Sequence, residues 1–274
     1  MYLIIQRLNG EIYKTDEHNL KVLNFTLSSP EYIASYEEMD GYDGEIDTGA
    51  KGKGRTISSS FLLRARDYHD FPLQRNNIFK IFNSKEPFYL IDSREPGKRW
   101  LVRSKGFTPE QLISKAGMFD VEFYSARTYC ESVGTSLTPF TSDAIVWQIG
   151  QGLSFTNSTH QYTFDNLDQF EVFNAGDITV DPRARMDIKI QFSGASTNLK
   201  IENLTTGDLW SYTGTTTTNN IITLEKVRSF KNGISIFRDT NHKLISLAPG
   251  INKFKITGAT GTRKITFDFR FYYL

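Results

Sequence analysis

Apolar and polar positions alternate with a period of two in one stretch of this chain after another. Phe119, Val121 and Phe123 fall on one side, with Asp120, Glu122 and Tyr124 on the other. Ile188, Ile190 and Phe192 alternate with Asp187, Lys189 and Gln191. The longest run sets Ile265, Phe267, Phe269, Phe271 and Tyr273 against Lys264, Thr266, Asp268, Arg270 and Tyr272. Each pattern predicts a strand with one face on a core. Turn chemistry separates the runs. Glu95, Pro96 and Gly97, between 88–92 and 99–103, place proline and glycine where a type II turn wants them. Asn232 and Gly233, between 227–230 and 234–237, form a strong hairpin signal.

One segment changes period. Between Asp70 and Asn83, the residues Phe71, Ile78, Phe79 and Phe82 recur at helical spacing. They predict a single amphipathic helix of about three turns, with Asp70 as N-cap and Pro72 confined to the first turn. The predicted fold class is mainly β. Residues 1–134 read as an α+β domain with one helix on a sheet. Residues 134–143 are turn-formers without periodicity, so 135–154 reads as a linker. From 155 to 274 the short spacing of strand-like runs fits an antiparallel β-sandwich or jelly roll.

Composition supports that reading. Aromatic residues make up 14% of the 274 positions, and such side chains suit the half-buried surface of a sheet. They also suit subunit interfaces, although core filling accounts for most of them. Thirty-two Lys and Arg stand against thirty-one Asp and Glu, for a net charge of +1. The two signs are not segregated: 18 basic and 19 acidic residues precede position 138, and 14 and 12 follow. That balance argues against an electrostatic grip on duplex nucleic acid or an anionic membrane. A single cysteine, Cys130, excludes an intramolecular disulfide. Met1–Arg7 has no basic n-region and only three aliphatic residues in a row, so no secretory signal is expected. No apolar run approaches the roughly 18 residues of a membrane span. The expectation is a soluble protein made in a reducing compartment.

Catalytic motifs fail on context. Gly49–Thr56 (GAKGKGRT) fits the phosphate-loop pattern except that Arg55 stands where lysine is required. A phosphate loop follows a buried strand and opens a helix. Here acidic 41–47 precedes, and the strand-like 56–65 follows, so a glycine-rich hairpin tip is the better reading. Asp43, Glu45 and Asp47 suggest calcium, but Thr48 and Gly54 occupy the sixth and twelfth loop positions, where glycine and glutamate are needed. His18, His69, His160 and His242 are scattered singly, without metal-ligand spacing. Neither a Gly-x-Ser-x-Gly elbow nor any motif around Cys130 marks a nucleophile. Glu37, Glu38, Asp40 and Asp43 leave a glycosidase pair open in principle, although acids beside glycine suit a solvated loop. Asn24, Asn157 and Asn203 sit in glycosylation sequons that need secretion to matter. The expectation is a binding or assembly protein, with no enzyme activity, cofactor or metal.

In order, three stretches resemble the distal tail proteins (Dit) of siphophages that infect Gram-positive bacteria. They are 66–82 (RDYHDF to IFKIF), then 86–92 (EPFYLID) with the hairpin 96–100 (PGKRW), and finally the C-terminal half. That half carries 170–177 (FEVFNAGD), 201–207 (IENLTTG), 249–254 (PGINKF) and 269–274 (FRFYYL). The resemblance implies a ring-forming first domain and a galectin-like second domain. It implies a homo-hexameric hub joining the tail tube protein to the tail tip or baseplate. Below the hub would sit a tail-associated lysin or tail fibre protein, with receptor-binding or baseplate proteins anchored outside and DNA only in transit. The hub would be a virion part assembled in the host cytoplasm, without a membrane. Tyr42, Asp43, Glu45, Asp47, Lys51, Lys53 and Arg55, on the loop 41–55, are candidates for a neighbour contact or a channel rim; a bare hairpin tip is the alternative. An alternative function is a lectin-like module for host cell-wall saccharide, with Trp210 and Tyr212 as the candidate saccharide or partner contact.

Overall fold

A computed structural model of the chain describes residues 1–41, 43–140, 146–153 and 160–274. They divide into two compact units, Met1–Cys130 with Leu274, and Glu131–Tyr273.

The first unit contains β1 (Leu3–Arg7), β2 (Ile12–Lys14), β3 (Leu20–Leu27), β4 (Tyr32–Glu38), β5 (Glu45–Gly52) and β6 (Arg55–Arg64). The helix α1 (Asp70–Ile81), β7 (Phe88–Asp92), β8 (Lys98–Ser104), β9 (Glu110–Ile113) and β10 (Ala116–Ser125) follow. Seven strands lie in the order β2-β1-β7-β8-β10-β6-β3, with β9 beside β10. Strands β6 and β10 pair along their whole length, from Ala116 opposite Arg64 to Ser125 opposite Arg55. Their alternation buries Ile57, Phe61, Leu63, Phe119, Val121 and Phe123. Phe61 stacks on Phe119 at 5.3 Å, and Phe82, just past the helix, meets Phe61 and Phe123. Helix α1 adds Phe71, Ile78 and Ile81 to this aromatic core. Phe79 does not join it: the residue is 43% exposed, and among the described aromatic residues its ring meets only Phe107.

Both ends of α1 are held from outside it. Asp67, rather than Asp70, is the N-terminal acceptor: its Oδ1 takes the N–H groups of His69 (2.8 Å) and Asp70 (2.9 Å). At the other end the Arg7 guanidinium donates to the carbonyls of Lys80 (2.9 Å), in the last turn, and Asn83 (2.6 Å), just beyond it. The turn at 95–98 closes through Lys98 N–H to the Glu95 carbonyl, but Gly97 is not at positive φ. It is therefore a type I turn rather than the expected type II.

Strand β11 (Cys130–Ser132) begins on the last residue of the first unit's main span; the second unit contains the rest of it with β12 (Thr163–Asp165), β13 (Gln169–Asn174), β14 (Ile188–Asn203), β15 (Asp208–Ser211) and β16 (Thr215–Thr216). It continues with β17 (Ile221–Glu225), β18 (Arg228–Lys231), β19 (Ile234–Ser235), β20 (Gly250–Phe269) and β21 (Tyr272–Tyr273). The long strands β14 and β20 pair from Ile188 opposite Phe269 to Asn203 opposite Phe254, with bulges around 194–200. Those bulges let the sheet bend over itself. Phe254 on one half meets Phe267 on the other at 4.8 Å, and Phe170 on β13 contacts both. At the predicted hairpin, Asn232 (φ 49°) and Gly233 (φ 80°) form a two-residue primed turn between β18 and β19.

The described part of the expected linker belongs to this second unit. Ser136 Oγ donates to the Phe267 carbonyl and accepts from Phe269 N–H. Ser132 Oγ accepts from Phe271 N–H in the same way. Trp147 is fully buried against Phe271, and its indole N–H bonds to the Pro139 carbonyl. Periodicity could not show this, because single hydroxyls and one indole do the packing. The expected start of the second domain at 155 lies outside the described residues, as does the sequon residue Asn157.

Candidate functional site

Among the described residues, strands β4 and β5 pair only with each other, as a two-stranded ribbon outside the main sheets. Every residue of both strands is exposed. Tyr32 and Tyr36 lie on one face; Ile33 and Ile46 lie on the other. Met39 sits beyond β4 and is exposed as well. An isolated two-stranded ribbon is marginal in water, and this one has no side buried by its own chain. Its free end is acidic: Glu37, Glu38, Asp40, Asp43, Glu45 and Asp47 occur there without a basic residue between them. Glu38 and Glu45 stand directly opposite each other, a repulsive cross-strand pair. The ribbon is an arm with large exposed hydrophobic side chains on both faces, an acidic tip and unpaired edges.

The glycine-rich string is the root of this arm rather than its tip. A Cβ on Gly54 would lie 2.3 Å from Tyr124 Oη and 2.4 Å from the Ser125 carbonyl, so only glycine fits where the chain enters the sheet. Thr128 Oγ1 donates to the Lys53 carbonyl, and Lys53 N–H donates to the Glu31 carbonyl, fastening the root across both strands. Lys53 Nζ also pairs with the Glu31 carboxylate.

The candidate residues therefore separate by position. Asp43, Glu45, Asp47 and Lys51 are exposed on the arm. Tyr42 lies outside the described residues. Arg55 is 5% exposed and cannot serve a rim or a neighbour. Its Nε donates to the Ser28 carbonyl at 3.0 Å, and the guanidinium lies 4.8 Å over the Trp100 ring. Burial pushes the Arg55 guanidinium down from its usual range. The sequence reading missed Tyr32, Ile33, Tyr36 and Ile46. The β-branched and aromatic residues at 32, 33 and 36, just after Pro30, favour a strand without marking a buried face.

Trp210 and Tyr212 are not placed to meet a saccharide. Pairing of β15 with β14 turns Trp210 inward, 1% exposed, with its Nε1 donating to Ser229 Oγ at 3.2 Å. Tyr212 is 6% exposed, packed against Gly214. Among the described residues no three His, Cys, Asp or Glu side chains converge as a metal site requires. Nor is any helix long and apolar enough to cross a membrane. Cys130 is buried, which pushes its thiol up to about 12.

Residues 13–125 match the model of the phage tail protein RIFT-related domain family. The matched RIFT-related domain lies wholly inside the first unit and includes the arm. Over 98% of its length the chain shares the fold of SPP1 Dit (gp 19.1), described as a paradigm of hub adsorption apparatus in Gram-positive infecting phages. That likeness has a TM-score of 0.69 at 14% identity and covers 99% of the SPP1 chain. The phage P2 baseplate in its activated conformation is also similar. The calcium form gives a TM-score of 0.47 at 8% identity and the strontium form 0.46 at 7%, each covering 97% of both chains. No curated protein matches the chain.

Proposed function

We propose that this chain is a distal tail protein whose first unit closes into a six-fold ring. The ring joins the tail tube protein to the tail tip or baseplate. The observation that carries the reading is the β4–β5 arm, whose exposed Tyr32, Tyr36, Ile33 and Ile46 find no cover in their own chain. A second copy is the partner that a symmetric ring supplies to every such arm at once. Supporting it are the tail-protein domain at 13–125 and the fold shared with a phage hub protein.

In this reading the protein does structural work rather than catalysis. The second unit, galectin-like in role and outline, anchors receptor-binding or baseplate proteins, and a tail-associated lysin or tail fibre protein docks below the ring. DNA passes through the central channel, and a net charge of +1 suits a passage that must not retain it. The protein belongs to the virion and is assembled in the host cytoplasm.

The test is negative-stain electron microscopy of the purified chain, with light-scattering mass, over a concentration series and with added tail tube protein. Six-subunit rings with a central hole are expected. A chain that stays monomeric at every concentration, and also on the tube, overturns the proposal.

A further inference from the structure

A cavity of about 450 Å³, lined by polar side chains together with Leu209 and Leu244, opens in the second unit, and neither the Trp210 nor the Tyr212 ring lines it. Its size falls in the range of roughly 300–1,000 Å³ typical of small-ligand sites. Three chain segments wall it: 181–183, the β14–β15 turn at 207–209, and 241–246.

The walls are tied to one another by hydrogen bonds that do not need a ligand. Val180 and Leu247 exchange backbone bonds at 2.9 and 3.0 Å, joining the first wall to the third. Ser246 N–H donates to Asp208 Oδ2 at 2.9 Å, and Thr206 Oγ1 donates to the same oxygen at 2.8 Å. Asn241 Nδ2 donates to the Leu209 carbonyl at 2.8 Å. Below them the fully buried Asn203 holds the Ser246 carbonyl at 2.8 Å. His242 is stacked on Phe237, with ring centroids 4.2 Å apart. Such a pre-formed cavity spares a ligand the cost of ordering it.

What remains unspent on the walls defines the ligand. Asp208 Oδ1 accepts no hydrogen bond from the described residues, while Oδ2 is saturated. Arg183 engages Asp181 through Nε, leaving both Nη groups as donors. The Lys243 ammonium is exposed and carries no ion pair among the described residues. Two carboxylates (Asp181, Asp208) offset two cations (Arg183, Lys243), so the cavity offers donors and an acceptor side by side without a net field. A lone anion would meet the carboxylates, and a lone cation would meet Arg183 and Lys243. Vicinal hydroxyls, each both donor and acceptor, satisfy both kinds of group at once.

We infer that this cavity is a binding site for a neutral saccharide unit, held by Arg183, Lys243 and Asp208. The cavity lies within one unit of one chain, so it functions with or without a ring.

The test uses the full chain and the methyl glycosides of glucose, galactose, N-acetylglucosamine and rhamnose, by calorimetry and by hydrogen exchange with mass spectrometry. At least one glycoside is expected to bind and to protect 181–183, 207–209 and 241–246. Arg183→Ala and Lys243→Ala, both at exposed side chains, are each expected to weaken it about tenfold or more with unchanged unfolding midpoints. Three results overturn the assignment: no glycoside binds; protection appears elsewhere; or inorganic phosphate protects these segments and the glycosides do not. A chain that forms rings yet ignores every glycoside removes the cavity assignment and leaves the hub reading intact.

Discussion

Replacing Tyr32 and Tyr36 together by serine separates what the arm does for its own chain from what it does for a neighbour. The two rings lie on one face of the ribbon and are 54% and 57% exposed. A tyrosine offers roughly 200 Å² of contact surface, so about 110 Å² of each is free to be covered. At about 25 cal/mol per Å², complete burial at a subunit contact contributes up to ~2.7 kcal/mol per ring, and half cover about 1.4. Each lost ring should therefore weaken a single contact by roughly 10- to 100-fold. The same substitutions remove nothing from the core of the isolated chain, so its stability should move by no more than about 0.5 kcal/mol. The assay pairs light-scattering mass across a dilution series with urea unfolding at a concentration where the parent chain is monomeric. The pair Ile33→Ser and Ile46→Ser, on the opposite face, reports which side the neighbour covers. Rings that persist unchanged in both variants would refute the role given to the arm. A monomer whose midpoint collapses would refute the claim that its faces are unsupported by its own chain.

Three further outcomes are expected. Arg55→Met should cost about 2–4 kcal/mol in urea unfolding, because it leaves the Ser28 and Thr128 carbonyls without their charged donor; a loss under 1 kcal/mol would count against the anchoring role. Phe61→Ala, at the centre of the first unit's aromatic core, should cost about 3–5 kcal/mol by the same measurement. Cys130 should resist alkylation in the folded chain and react on unfolding. Burial raises its thiol from the ordinary value near 9 to about 12, so the contribution to stability is complete below pH 9 and declines as pH rises towards 12. Rapid labelling of the native chain at pH 8 would contradict that burial.

Much of the fold is legible in the sequence because one face of each long strand is buried. Phe119, Val121 and Phe123, and likewise Ile188, Ile190 and Phe192, go inward as their alternation predicts. The alternation ends at Phe269: both Phe271 and Tyr272 are fully buried, because β20 stops there and the chain turns into β21. Arg270 marks the break, donating to the carbonyls of Ser132 and Gly134 instead of pointing to solvent. The arm was the harder part to read. A ribbon exposed on both faces imposes no in-and-out pattern, so Tyr32–Glu38 lacked the signature that a core gives to a strand. The misplacement of Arg55 has a related cause. Charge suggests exposure, yet the guanidinium sits between carbonyls and an indole at the root of the arm. Asn203 shows the same limit, since a polar sequon residue proves fully buried and fully hydrogen-bonded.

The pairing of β14 with β20 also orders events during synthesis. Ile188 leaves the ribosome long before its partner Phe269, and until β20 follows, β14 has no mate along that edge. The arm, by contrast, pairs within itself between residues 32 and 52, so both of its strands emerge early. An interrupted translation product would thus carry an unclosed second unit with an apolar strand edge, the kind of intermediate prone to aggregation and to capture by chaperones. The long-range pairing leaves the second unit open along that edge until β20 has emerged.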